Sequence, residues 1–170
     1  FGDGTLVGGI YEITTQMYIP SDMTGGPAWF ILLNDYDPSG AAHDWSLDLA
    51  LDPVAGNVSG FEFGGTASLV TDAWAEVRVV ANTVANTMDV YYDGGAVPIN
   101  AGEGTVWSTA NQQFDCIDLY ANGDVDGATD DGTSPFYYDG IGVINVPDVG
   151  ACCMTDGSCS DLPEPASTDC

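Results

Sequence analysis

Residues Asn122-Gly123-Asp124-Val125-Asp126-Gly127, followed by Asp130 and Asp131, carry oxygen ligands at alternate positions and a glycine at the sixth. This is the spacing of a Ca²⁺ loop, in which carboxylate and amide oxygens surround a hard cation while the glycine lets the chain turn. Asn122 stands first and Thr133 occupies the place of the usual bidentate glutamate, so a solvated acidic turn is the competing reading. Asp35 and Asp37, in Asn-Asp-Tyr-Asp, form a smaller acidic cluster of the same kind. Acid–base chemistry finds less. The five glutamates, Glu12, Glu62, Glu76, Glu103 and Glu164, are scattered, and none shares a strand face with a second acid at the spacing that glycoside hydrolysis requires. Glu76 sits two residues from Arg78, which reads as an ion pair on one strand face. His43, the single histidine, has no nucleophile motif around it, and no glycine-rich phosphate loop is present. The expectation is a non-catalytic chain, not an enzyme.

Five cysteines divide unevenly. Cys152, Cys153, Cys159 and Cys170 crowd the last nineteen residues, while Cys116 lies alone in the body. The crowded four read as a disulfide framework made in an oxidising, extracellular setting. Zinc is the alternative, but CxxC pairs and a neighbouring histidine are missing. The odd count leaves Cys116 as either a buried free thiol or an intermolecular bridge. Asn57-Val58-Ser59 matches the N-glycosylation acceptor pattern at Asn57.

Charge sets the remaining limits. One Lys or Arg stands against 26 Asp and Glu, a formal charge of −25, in a chain of 170 residues that is 45% hydrophobic. So much apolar surface allows folding despite the charge. In a domain of radius of gyration ~15 Å, surface carboxylates lie within about one Debye length (~10 Å) of many others. Basic side chains are too few to offset this, which is a further reason to expect Ca²⁺. Nucleic acids and anionic membranes are excluded as partners, because gripping phosphates takes Lys and Arg. No run of eighteen apolar residues exists to span a membrane as a helix. The chain starts at Phe1, as a secreted product freed of its signal peptide would.

The elements that must position these groups read as strands. Between Gly9 and Ile19, Tyr11, Ile13, Met17 and Ile19 alternate with polar residues, and Trp45, Leu47, Leu49 and Leu51 alternate with Ser46, Asp48, Ala50 and Asp52. Residues 28–33 (AWFILL) form a short buried run, and Phe61 and Phe63 flank Glu62 in another short strand. Residues 73–81 and 87–93 pair, Asp93-Gly94-Gly95 turns into 96–99, and 114–121 and 136–146 complete nine or ten strands. No apolar stripe recurs at helical spacing. The fold class is all-β, an antiparallel two-sheet jelly-roll sandwich over residues 1–146, with a small disulfide-rich tail over 147–170. Trp29, Trp45 and Trp74 fall in strand patterns and are expected in the core. Trp107, in Gly-Glu-Gly-Thr-Val-Trp, is the one tryptophan considered for the surface and the candidate for stacking on a sugar, with core packing as the competing reading.

The segments YEITTQMYIP (11–20), AWFILL (28–33), WAEVRVV (74–80), MDVYYDG (88–94), IDLYAN (117–122) and FYYDGIGV (136–143) resemble the concanavalin A-like superfamily of laminin-G, lectin and glucanase domains, across roughly residues 5 to 146. The tail GACC…DGSC…C resembles small cysteine-rich modules of secreted bacterial proteins. The resemblance implies a structural Ca²⁺ held by Asp139, in the closing strand, with Asp3 or Glu12. It also implies that a glycosidase of this superfamily would carry an ExDxE strand, which this sequence lacks. The expected role is therefore a secreted, non-catalytic structural or adhesive subunit, stabilised by Ca²⁺ and disulfides, whose terminal segment joins copies of itself into a fibre by strand addition. The alternative is a carbohydrate-binding, lectin-like module that meets surface glycans.

Overall fold

Alternation in the sequence becomes two sheet faces. The computed structural model describes residues 6–23, 26–37, 43–103, 105–108, 111–121, 135–146, 150–153 and 159–162. Thirteen strands run through them in chain order: β1 (Leu6–Val7), β2 (Ile10–Tyr18), β3 (Ala28–Tyr36), β4 (His43–Asp52), β5 (Asn57–Gly60), β6 (Thr66–Ser68), β7 (Trp74–Asn82), β8 (Thr87–Tyr92), β9 (Gln113–Phe114), β10 (Cys116–Ala121), β11 (Tyr137–Val146), β12 (Gly150–Cys153) and β13 (Cys159–Leu162). One sheet has five strands in the order β10-β3-β4-β5-β6, and the other has four in the order β11-β2-β7-β8. All pairings are antiparallel. The chain is an all-β two-sheet sandwich, as its patterning predicts.

The core lies between the sheets. Ile13, Met17, Val77, Val79 and Val90 of the four-stranded sheet meet Phe30, Leu32, Leu47, Leu49, Leu51 and Val58 of the five-stranded one, all essentially without solvent contact. Excluding water from such side chains stabilises the fold by about 1.5–3 kcal/mol for each one fully buried. Two buried amides staple the connections. Asn100 accepts the Val90 N–H and donates to Met88 O and Thr105 Oγ1. Asn34 does comparable work at the other end, described below.

Several sequence expectations fail for identifiable reasons. Residues 61–63 form a turn after β5 rather than a strand, with Phe61 exposed and Phe63 buried. Residues 93–95 do turn, Gly95 N donating to Tyr92 O, but 96–99 form no strand. Trp74 starts β7 one residue out of phase with the core and stands on the outer face. Of the terminal segment 1–9, expected to reach a neighbouring copy, the described strand β1 is paired within its own chain, Leu6 opposite Phe114 and Val7 opposite Gln113. In the tail, β12 and β13 form a hairpin with Cys153 opposite Cys159 in register.

Candidate functional site

The outer face of the five-stranded sheet gathers groups that the sequence keeps far apart. A bulge in β4 creates it. Leu32 pairs with Leu47 and Leu33 with Trp45, so Ser46 has no partner on β3. An extra residue on one strand breaks its alternation at that point, so Trp45 leaves the core and stands 55% exposed, and a second irregularity follows at once on β3, between Leu33 and Asp35. The bulge is held by Asn34. Its Oδ1 accepts the Ser46 hydroxyl at 3.1 Å, and its Nδ2 lies 2.8 Å from Asp44 Oδ2, 2.8 Å from Ser108 Oγ and 3.0 Å from Asn111 O.

Rows of side chains cross this face in register. Cys116, Leu33 and Trp45 form one row, and with Tyr36, Ile117 and Asp118 they line a hollow of about 330 Å³. Asp118, Ile31 and Asp48 form the next, and Tyr120, Trp29, Ala50 and Ser59 the third. Beyond β5 the chain folds back over this third row. Phe61 N donates to Asp48 O at 3.2 Å. Its ring lies over that of Trp29, with centroids 5.4 Å apart and planes 8° from parallel. Ala50, between Trp29 and Ser59 in register, presents only a methyl group to this face. The turn needs Gly60, where a Cβ would fall 2.3 Å from the Phe63 ring.

The same turn delivers a second acid. Both carboxylate oxygens of Glu62 lie 3.1 Å from the Asp48 backbone nitrogen, in the position a ladder carbonyl would take if β5 continued. Asp48 itself is buried, and its Oδ1 has no hydrogen-bond partner among the described residues. Burial pushes the Asp48 carboxyl up to about 6. Glu62 is exposed as a residue but turns its carboxylate against the strand. Burial of that group pushes it up to about 7, the Asp48 charge adding to the rise and the amide hydrogen bonds from Asp48 and from Glu62 itself opposing it. Both carboxyls are thus raised toward neutrality, and Glu62 is joined to Asp48 through the Asp48 backbone N–H. The sequence showed neither partner, because Glu62 reaches Asp48 only through the Gly60–Phe63 turn.

The residues expected to do chemistry fare differently. Trp107 is fully buried, its indole N–H donating to Gln113 O and its ring packed near Phe114, so it is core and not a sugar platform. Asn122, Asp124, Asp126 and Asp130 lie outside the described residues, as do the side chains of Cys152, Cys153, Cys159 and Cys170. Asp139 sits exposed at a bulge in β11, its Oδ1 accepting the Gly140 N–H at 2.7 Å. In register it faces Gln16, four residues along β2 from Glu12, which instead pairs with Arg78 at 3.3 Å. Asp35 is exposed and accepts from Asn111 Nδ2 at 3.2 Å, while Asp37 is half-buried. Among the described residues no group of three or more acids, histidines or cysteines is placed to hold a metal. Cys116 is a free, half-buried thiol held protonated by burial and by the charges of Asp118 and Asp115. Asn57 opens β5 on the outer face, opposite Asp52 and Ser68. Arg78 also meets Glu76 at 3.8 Å, as its spacing suggests, and lies 3.8 Å over the Tyr91 ring.

No protein-family model matches the sequence, and no curated protein matches it either. Two solved structures are similar to it in part. One is a sialidase, at 14% identity and a TM-score of 0.50, over 83% of this chain and 13% of that one. The other is the catalytic domain of a glycoside hydrolase family 131 protein from Coprinopsis cinerea, at 10% identity and a TM-score of 0.44, over 84% of this chain and 59% of that one. The chain thus spans less than two thirds of either relative, and the likeness speaks for the sandwich fold. The expectation of a non-catalytic subunit of a homopolymer is overturned to the extent that the structure sharing the sandwich is a sialidase.

Proposed function

We propose that the domain engages a glycan on the outer face of the five-stranded sheet, in the manner of a lectin-like module. The observation that carries this reading is the Phe61 ring stacked on Trp29 beside the carboxyl pair Asp48 and Glu62, with Trp45 and Tyr36 further along the same face. Aromatic faces receive the apolar C–H side of a sugar ring, and fixed carboxyls accept its hydroxyl protons. Acidic sugars are disfavoured. The chain has a single Lys or Arg, and that residue, Arg78, is held on the other sheet by Glu12 and Glu76. Binding of neutral oligosaccharides to the wild type and to Phe61→Ala and Trp45→Ala variants tests this. Loss of about tenfold in affinity in each, roughly the worth of one aromatic stack, is the expected result; binding unaffected by both removes the reading.

A second reading, hydrolysis of that glycan, is favoured by the two carboxyls raised to about 6 and about 7. One would protonate the departing glycosidic oxygen while the other, ionised, assists attack at the anomeric carbon. Release of reducing ends from polysaccharides, lost in both Asp48→Asn and Glu62→Gln, is the test. Secretion, the tail disulfides and Ca²⁺ on the 122–131 segment complete the proposal. The ligand spacing of Asn122, Asp124, Asp126 and Gly127 supports the metal, and a melting temperature unchanged by a chelator would remove it.

A further inference from the structure

The opposite sheet carries aromatics of its own. Tyr137 pairs with Tyr18, and Tyr18 with Trp74, so three rings stand in one row across β11, β2 and β7. Tyr18 lies 5.6 Å from Trp74 and 6.0 Å from Tyr137, centroid to centroid. Trp74 is 50% exposed and Tyr137 52%. Neighbouring strands lie about 4.8 Å apart, and the rings they carry are spaced slightly wider, at 5.6 and 6.0 Å. Tyr18, between Trp74 and Tyr137, is half-buried, and leaving the two outer rings in water forgoes the stabilisation that burial would give.

Beside the row is a groove of about 610 Å³, walled by these rings together with Met23, Asp22 and Asp72. That volume falls in the ~300–1,000 Å³ range of small-molecule sites. Its rim is braced. Asp72 adopts a left-handed backbone (φ 56°), its N–H donates to Ile19 O at 2.9 Å, and its Oδ1 accepts Ser21 N–H at 3.0 Å. Met23 N donates to Pro20 O at 3.1 Å, closing the facing turn. The Ser21 hydroxyl and amide keep the Asp72 carboxyl below its ordinary range, so it is an anion and an acceptor. No Lys, Arg or His lines the groove, which argues against phosphorylated or carboxylated ligands. The rings are inclined to one another, by 60° between Tyr18 and Trp74 and 70° between Tyr18 and Tyr137, so they wall a groove rather than a flat platform. Ring faces beside an acceptor rim fit the two sides of a neutral pyranose, C–H bonds on one and hydroxyl donors on the other.

We infer that the Tyr18–Trp74–Tyr137 groove is a second saccharide site, for a neutral oligosaccharide, on the face opposite the carboxyl pair. It is independent of the first reading, since the two faces share no residue.

The test uses the full chain carrying Phe61→Ala and Trp45→Ala, which disables the first face, titrated with cellohexaose, xylohexaose, laminarihexaose and mannohexaose. Calorimetry and tryptophan fluorescence are the readouts. Binding of at least one of these is expected, with an emission change from Trp74. Adding Trp74→Ala, or Tyr137→Ala in a separate variant, should weaken it about tenfold, with the melting temperature unchanged because both rings are at the surface. If none of the four binds the Phe61→Ala/Trp45→Ala chain, or if binding survives both Trp74→Ala and Tyr137→Ala, the second site does not exist. Retained binding in the Phe61→Ala/Trp45→Ala chain that Trp74→Ala abolishes supports it even where the first face has failed.

Discussion

Glu62 caps the backbone of Asp48: its carboxylate, not a main-chain carbonyl, receives the Asp48 N–H, 3.1 Å from each oxygen. Substituting a side chain for a strand brings two acids together at the end of β5, where neither is fully hydrated. Four consequences follow for experiment.

The pair should make the domain more stable in acid than at neutral pH. Both carboxyls are raised in the folded state, from 3.8 to about 6 for Asp48 and from 4.5 to about 7 for Glu62. The folded chain therefore binds more protons than the unfolded one across this interval, and stability falls as pH rises. The contribution is full below pH ~4 and is lost as pH climbs through about 6 and 7. For Asp48 alone the shift corresponds to about 3 kcal/mol, of which solvent screening leaves about 1–2 kcal/mol. Asp48→Asn should flatten thermal melts between pH 4 and 8 and raise the melting temperature at pH 8 by about 4 °C.

Gly60→Ala should damage site and fold together. The added Cβ would lie 2.3 Å from the Phe63 ring, and overpacking of this kind costs about 1–3 kcal/mol. Moving Phe63 shifts the turn that carries Phe61 and Glu62. Glycan affinity should fall with the urea midpoint, whereas Phe61→Ala should lower affinity alone.

Trp107 and Trp45 should behave oppositely. Trp107→Ala removes a fully buried ring and its hydrogen bond to Gln113 O, a loss of about 3–5 kcal/mol. Trp45→Ala trims an exposed ring and should shift stability by less than about 0.5 kcal/mol. Chemical denaturation of the two variants separates them.

Asn34→Leu should release the bulge. It leaves the Ser46 and Ser108 hydroxyls and the Asn111 carbonyl without the partner that Asn34 supplies. Ser46 is buried, and a buried polar group that loses its partner costs about 1–3 kcal/mol, so a loss of that order is expected. Trp45 emission in the native state should move as its surroundings change.

Much of the architecture was legible because burial follows a period of two. β2, β7 and β8 alternate without interruption, and residues 11–19 and 73–81 announce this directly. The site was not legible, for the same reason. Its decisive features are breaks in the period: the unpaired Ser46, which puts Trp45 outside although its spacing matches Leu47, Leu49 and Leu51, and the Gly60–Phe63 turn, which looks like a strand because two phenylalanines flank Glu62. Trp107 misled in the opposite sense. It lies in an irregular segment with no alternation to mark it as interior, yet it is among the most deeply enclosed side chains described. The pairing of Glu62 with Asp48 spans fourteen residues through such a turn, and no local spacing encodes it.

The unpaired serine in β4 has a wider bearing. One codon's worth of chain length decides whether the indole before it points inward or outward, while Leu47, Leu49 and Leu51 keep their places. An exposed ring can thus be gained or lost by insertion or deletion of a single residue. Such a surface can change its appetite faster than its framework can change its shape.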